Sequence, residues 1–268
     1  PPPPPPTPPR LDSSAASDVY KRQGKTTLAR RMLDNLPEDR YESSLLVMVH
    51  SGITPEWILT RIAMQLGVKE PAGDRLKLLK QLYTRLLEID DEGRRAVVLI
   101  DEAQMLQSRE LMEEFRGLLN LEVPGKKLLN IVFFGLPELE DCLALDEPLA
   151  QRVAIKYTLK SMTVETTTSY IKHRLQIAGA GQVLFDDDVI PLVHRYARGV
   201  PRLVNTISDN CLFEAYLCKM KMVDDRIAHS VAGDLGLLQQ PVVESPRDRV
   251  KEELDEIDGM LEKLEMKK

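Results

Sequence analysis

The chain has 268 residues, enough for one large domain or two modest ones with a substantial core. Its net charge of −6 provides no overall basic field to draw in nucleic acid, so only a local patch could do so. The three cysteines form no CxxC pair and no histidine stands at metal-site spacing from them, which argues against a zinc or disulfide framework and for reduced thiols in a cytoplasmic protein. No apolar run reaches the length of a membrane span, and no secretory leader is visible.

Residues 1–9 are almost pure proline, a composition that suits polyproline II and not a core. The stretch after them ends in Asp18-Val19-Tyr20-Lys21-Arg22-Gln23, which resembles the translation of a transposon mosaic-end adapter used in sequencing libraries. Residues 1–23 are therefore expected to be a disordered, non-native leader outside the fold. Gly24-Lys25-Thr26-Thr27 follows at once and matches the second half of a G-x-x-x-x-G-K-[ST] phosphate loop. In that pattern Lys25 reaches the β- and γ-phosphates, and the Thr26 hydroxyl binds Mg2+. The backbone N–H groups opening a helix over 26–36 face the phosphates. The pattern's first glycine falls on Val19, and 13–17 is too small and polar for the strand that precedes such a loop. The loop reads as truncated, with poor folding and weak ATP binding as the expectation.

Residues 44–50 read as a buried strand. Thr54-Pro55-Glu56 caps a helix with Leu59, Ile62, Ala63 and Leu66 on one face, ended by Gly67. Asp74 opens another, with Leu79, Leu82, Tyr83 and Leu86 as its inner stripe. Val97-Val98-Leu99-Ile100 then runs without polar interruption into Asp101-Glu102. Such a run reads as a strand buried on both faces of a parallel sheet, ending in two acids at the carboxyl edge where open α/β sheets bind ligands. There Asp101 suits Mg2+, held through its water shell, and Glu102 suits polarising the water that attacks a γ-phosphate. The competing reading is a core strand whose last residues cap the next helix. The half phosphate loop upstream weighs against it. A helix over 108–121 and a strand over 128–134 entering Gly135-Leu136-Pro137-Glu138 continue the alternation of a parallel α/β sheet. Past Tyr157 the pattern is helical, at 164–178, 187–196, 201–219 and 224–235.

Six stretches together, Asp101-Glu102-Ala103-Gln104, Leu118-Leu119-Asn120-Leu121-Glu122, Gly135-Leu136-Pro137-Glu138-Leu139, Gln151-Arg152-Val153, Tyr170-Ile171-Lys172-His173-Arg174-Leu175 and Gly199-Val200-Pro201-Arg202-Leu203-Val204-Asn205, resemble an AAA+ ATPase. Within that class the chain resembles the ExeA-like (general secretion pathway protein A) group, itself similar to transposition ATPases of the TniB and MuB kind. The resemblance runs in order over roughly 24–235. It implies an α/β P-loop NTPase fold: a three-layer, five-stranded parallel core over 24–159 and a C-terminal helical lid over 160–236. The cofactors implied are ATP and Mg2+, with Gly24, Lys25, Thr26, Thr27, Asp101 and Arg202 on the nucleotide, Thr26 and Asp101 on the metal, and Glu102 as catalytic base. Arg202 resembles the sensor-2 arginine that reaches γ-phosphate from the lid. Arg152, placed before the last core strand, resembles the arginine finger offered to a neighbour's ATP, which implies a homo-oligomer. The alternative for Arg152 is a solvated surface residue. The sensor-1 position, polar in this family, is Leu136 here, leaving Asn130 or Asn120 as substitutes. The partner implied is a secretion or envelope-assembly machine, with the protein cytoplasmic or peripheral to the inner membrane. The alternatives are a transposase–DNA complex, or a nucleotide switch that hydrolyses ATP poorly.

The tail reads as a linker over 239–246, followed by Val250, Leu254, Ile257, Leu261 and Leu264 at heptad a/d spacing, interrupted by Gly259. The 237–268 segment is thus a linker plus a short helix, which either packs on its own domain or zips to a partner.

Overall fold

The computed structural model describes residues 24–186 and 188–238. The expected leader over 1–23 and the heptad tail lie outside the described residues. The described chain divides into two compact units, 24–167 with Arg198–Asn205, and 168–197 with 206–238.

The first unit is built on a parallel sheet. Helix α1 (Lys25–Asp34) is followed by strand β1 (Tyr41–Val47), helices α2 (Pro55–Gln65) and α3 (Arg75–Asp91), and strand β2 (Arg95–Asp101). Helix α4 (Arg109–Leu118) leads into a small antiparallel hairpin, β3 (Glu122–Val123) with β4 (Lys126–Lys127), and then strand β5 (Leu129–Phe133). Two short helices, α5 (Leu139–Ala144) and α6 (Glu147–Ala150), complete it. The sheet order is β1-β2-β5, all parallel, with Leu45 opposite Leu99 and Leu99 opposite Val132. Central β2 is hydrogen-bonded on both edges and covered on both faces, so Ala96 to Asp101 are all buried; this is why its sequence is a continuous apolar run. Ala96, Val98 and Ile100 join the core made with α2, α3 and α4, while α1 packs on β1 and β2. Phe115 of α4 meets Phe133 of β5 edge-on, with ring centroids 5.2 Å apart.

The helix starts follow from their caps. The side chains of Thr54, Asp74 and Ser108 accept hydrogen bonds from the N–H groups of Trp57, Lys77 and Leu111, each such cap contributing about 1 kcal/mol. The α2 face predicted from periodicity is buried throughout, at Leu59, Ile62, Ala63 and Leu66. In α3 the buried stripe is Leu78, Leu82, Leu86 and Ile89, with Leu79 and Tyr83 only partly covered. The buried face thus shares Leu82 and Leu86 with the expected stripe and is turned toward Leu78 and Ile89, where the helix packs against α2 and β2.

The five-stranded sheet expected from the resemblance is corrected to three strands among the described residues. Residues 153–163 form no strand, and Ile155 and Tyr157 are 85% and 82% exposed. With no strand there, β5 is the sheet's edge among the described residues. For the same reason β5 is only half-buried along Ile131, Val132 and Phe133, not fully enclosed.

The second unit is helical, with α8 (Val189–Ala197) and α10 (Asp225–Asp234) packed together. It also holds most of α7 (Val164–Ile177) and α9 (Pro201–Leu217), whose first turns fall in the first unit. Tyr196 and His229 meet edge-on at 5.6 Å. Among the described residues no helix is long and apolar enough to cross a membrane.

Candidate functional site

All three parallel strands end at one edge, which brings Asp101 at the end of β2 and the following Glu102 alongside Gly135–Glu138 after β5. The backbone there is tightly stitched. Phe134 N–H donates to Ile100 O (2.8 Å), Ala103 N–H to Phe134 O (2.9 Å) and Met48 N–H to Asp101 O (3.0 Å). Glu102 adopts a left-handed conformation, φ 55° and ψ 36°, costing about 1–2 kcal/mol for a residue with a side chain. That turn carries the chain out of the sheet immediately after the acids.

Asp101 is 1% exposed. Its Oδ1 accepts from the Glu102 N–H at 3.0 Å, while Oδ2 is buried with no hydrogen-bond partner. An orphaned carboxylate oxygen in the interior is unfavourable unless a cation or its water completes it. No group of three His, Cys, Asp or Glu stands together among the described residues. Asp101 Oδ2 is thus a donor suited to a cation or its water, with no third His, Cys, Asp or Glu grouped around it among the described residues.

Gly24 is the N-cap of α1 in the left-handed conformation (φ 89°), with no side-chain cap, and the first intrahelical bond runs from Leu28 N–H to Gly24 O. The amides of Thr26 and Thr27 thus have no acceptor within the helix and are oriented for an anion. Lys25 lies near Glu102, Asp101 and Glu138. Burial pushes its ammonium below the usual lysine value, against the pull of these three carboxylates. Thr26 is half-buried and Thr27 exposed.

The structure therefore brings Lys25, Asp101 and Glu102 together. Arg152 is exposed on the turn after α6, its Nη1 donating to Arg116 O at 3.4 Å. Arg202 is exposed in the first turn of α9, within the segment that belongs to the first unit. Asn130 is engaged on the sheet, its Nδ2 donating to Ala96 O at 3.2 Å, and Leu136 is buried. Two residues had no assigned role from sequence: Glu138, beside Lys25, and Gln104, 5% exposed. Gln104 Nε2 donates to Glu102 Oε2 at 2.6 Å, and Leu136 N–H donates to Gln104 Oε1 at 3.1 Å. Gln104 stood in the sequence only as the last residue of the Asp101-Glu102-Ala103-Gln104 stretch, with no role attached to it.

Comparison with known proteins agrees with this geometry. Residues 21–143 match the family model described as AAA domain. The chain is 38% identical over 198 residues to General secretion pathway protein A of Aeromonas hydrophila, covering 72% of this chain and 35% of that protein. It thus spans about a third of the length of that curated relative. The Aeropyrum pernix ORC1 protein, solved in complex with DNA, superposes with a TM-score of 0.57 at 17% identity, over 80% of this chain and 57% of that one. Cdc6p from Pyrobaculum aerophilum gives 0.58 at 16% identity, over 82% and 62%. At these identities the solved structures support the fold alone. The fold and the sequence match agree: the chain has the AAA-type P-loop fold, matches the AAA domain model over residues 21–143, and is similar to General secretion pathway protein A of Aeromonas hydrophila.

Proposed function

We propose that the chain binds Mg-ATP at the carboxyl edge of its sheet, hydrolyses it with Glu102 as general base, and turns the cycle into conformational work on a protein partner. The convergence of Lys25 with Asp101 and Glu102 carries this reading. Lys25 and the amides opening α1 take the β- and γ-phosphates, with Gly24 and Thr27 shaping the cradle. Thr26 and Asp101 would hold Mg2+, a fit supported by the orphaned Asp101 Oδ2. When bound, the ion would supply positive charge that neutralises the phosphates. Arg202 contributes a second cation from the start of a lid helix. Arg152, exposed, serves a neighbouring copy's ATP in a homo-oligomer. Residues 24–159 act as the nucleotide-binding core and 160–236 as the lid. The partner is a secretion or envelope-assembly system, met from the cytoplasmic side or at the membrane periphery; the relative's name supports the secretion part of this reading.

Phosphate release from the full chain tests this. Glu102→Gln is expected to lower kcat by at least a hundredfold while still binding a fluorescent ATP analogue. Mixing Glu102→Gln with Arg152→Ala chains is expected to restore turnover, since each supplies what the other lacks. No recovery would remove the finger role. Binding without turnover in the unmodified chain would favour a nucleotide switch, the reading to which the apolar Leu136 points.

A further inference from the structure

We infer that Gln104 is a positioning residue for the catalytic base: its side-chain amide ties the Glu102 carboxylate to the backbone of the loop after β5. The inference rests on Glu102 being the base, and adds the device that aims it. The amide's two ends have opposite sense, and both neighbours demand the same orientation. Leu136 N–H is a donor and must face Oε1; the Glu102 carboxylate accepts and must face Nε2. At 5% exposure water does not compete for either bond. The backbone of Gln104 is itself anchored, its carbonyl accepting from Cys142 Sγ at 3.6 Å. Nε2 occupies one oxygen of Glu102 and leaves the other for the attacking water.

The arrangement resolves the loss of a polar side chain at position 136. The loop reaches the base through its main chain, by way of Gln104, and Glu138 two residues on lies beside Lys25. Gly135 makes room for this. A Cβ there would stand 3.2 Å from Gln104 Oε1 and 2.9 Å from Leu139 Cδ2, pressing directly on the amide.

Steady-state kinetics of the full chain separate the possibilities. Gln104→Ala is expected to lower kcat about tenfold, as for losing one hydrogen bond to a charged group, with KM for ATP within about twofold. Gln104→Met keeps about the same size but cannot donate, so its kcat is expected to fall at least as far as that of Gln104→Ala. Adding Gln104→Ala to Glu102→Gln is expected to lower single-turnover hydrolysis no further, because Gln104 acts only through Glu102. Gly135→Ala is expected to reduce kcat in the same direction. If Gln104→Met keeps kcat within twofold while Glu102→Gln removes turnover, the inference is overturned and the base reading stands. A Gln104→Ala loss shared between kcat, KM and melting temperature also overturns it, as packing alone. If Glu102→Gln leaves kcat unchanged, or the unmodified chain shows no turnover, the base reading falls and the inference with it.

Discussion

The same substitution, glycine to alanine, is expected to have opposite effects at two places in this fold. Gly199 has φ +68°, and a Cβ there would stand 2.2 Å from Met162 O and 2.9 Å from Met162 N. These are backbone atoms, and they are held because Met162 N–H donates to Gly199 O at 2.9 Å. The left-handed conformation alone costs alanine about 1–2 kcal/mol. Relieving the overlap must move the backbone and lose that hydrogen bond, adding about 1–2 kcal/mol. Gly199→Ala should therefore destabilise by about 2–4 kcal/mol, lowering Tm by about 4–16 °C for a chain of this size. Gly117 lies within α4, exposed, with nothing within 4 Å of a Cβ. There alanine removes unfolded-state entropy and should stabilise by about 0.5–1 kcal/mol. Paired thermal melts followed by circular dichroism decide the matter. A Gly199→Ala chain melting within about 2 °C of the unmodified protein would refute the close approach of 162 and 199.

Lys25 and the cysteines supply further tests. Because burial lowers Lys25 from 10.5 in the folded state, the fold binds that proton less well than the unfolded chain does. Its contribution to stability therefore rises as pH climbs through the lowered value. Nucleotide binding runs the other way, since the phosphates need the charge. Affinity for a fluorescent ATP analogue should weaken on the alkaline side before ordinary lysines titrate, and Lys25→Met should abolish it; a flat profile to pH 10 would contradict this. Burial pushes the Cys211 thiol up to about 12 and raises Cys142 as well, while Cys218 is exposed. A disulfide-exchange reagent at pH 8 should therefore label one thiol in the native chain and three after denaturation. Two or more native labels would contradict the packing of α9 or α5.

The reach of the sequence is clearest in β2. A four-residue apolar run ending in Asp101-Glu102 announced a doubly covered strand, because burial on both faces removes the alternation that a half-exposed strand must keep. Cap residues such as Thr54, Asp74 and Ser108 marked helix starts because capping is a local bond between neighbours in the chain. The half phosphate loop at Gly24-Lys25-Thr26 was legible for the same reason: its function depends on residues in immediate succession.

What escaped the sequence depends on partners distant along the chain. That 153–163 forms no strand could not be read from apolar content, because strand pairing joins residues distant along the chain. The buried face of α3 turns toward Leu78 and Ile89, where it meets α2 and β2. Glu138 beside Lys25, and the Gln104 amide joining Glu102 to Leu136, link segments whose spacing carries no pattern. Sequence alone determined where the capped helices begin and which strand bears the acids, since caps, periodicity and loop chemistry act within a few residues. Only the tertiary structure decided how many strands pair, which face each helix buries and what aims the Glu102 carboxylate, since those are contacts between residues that only folding brings together.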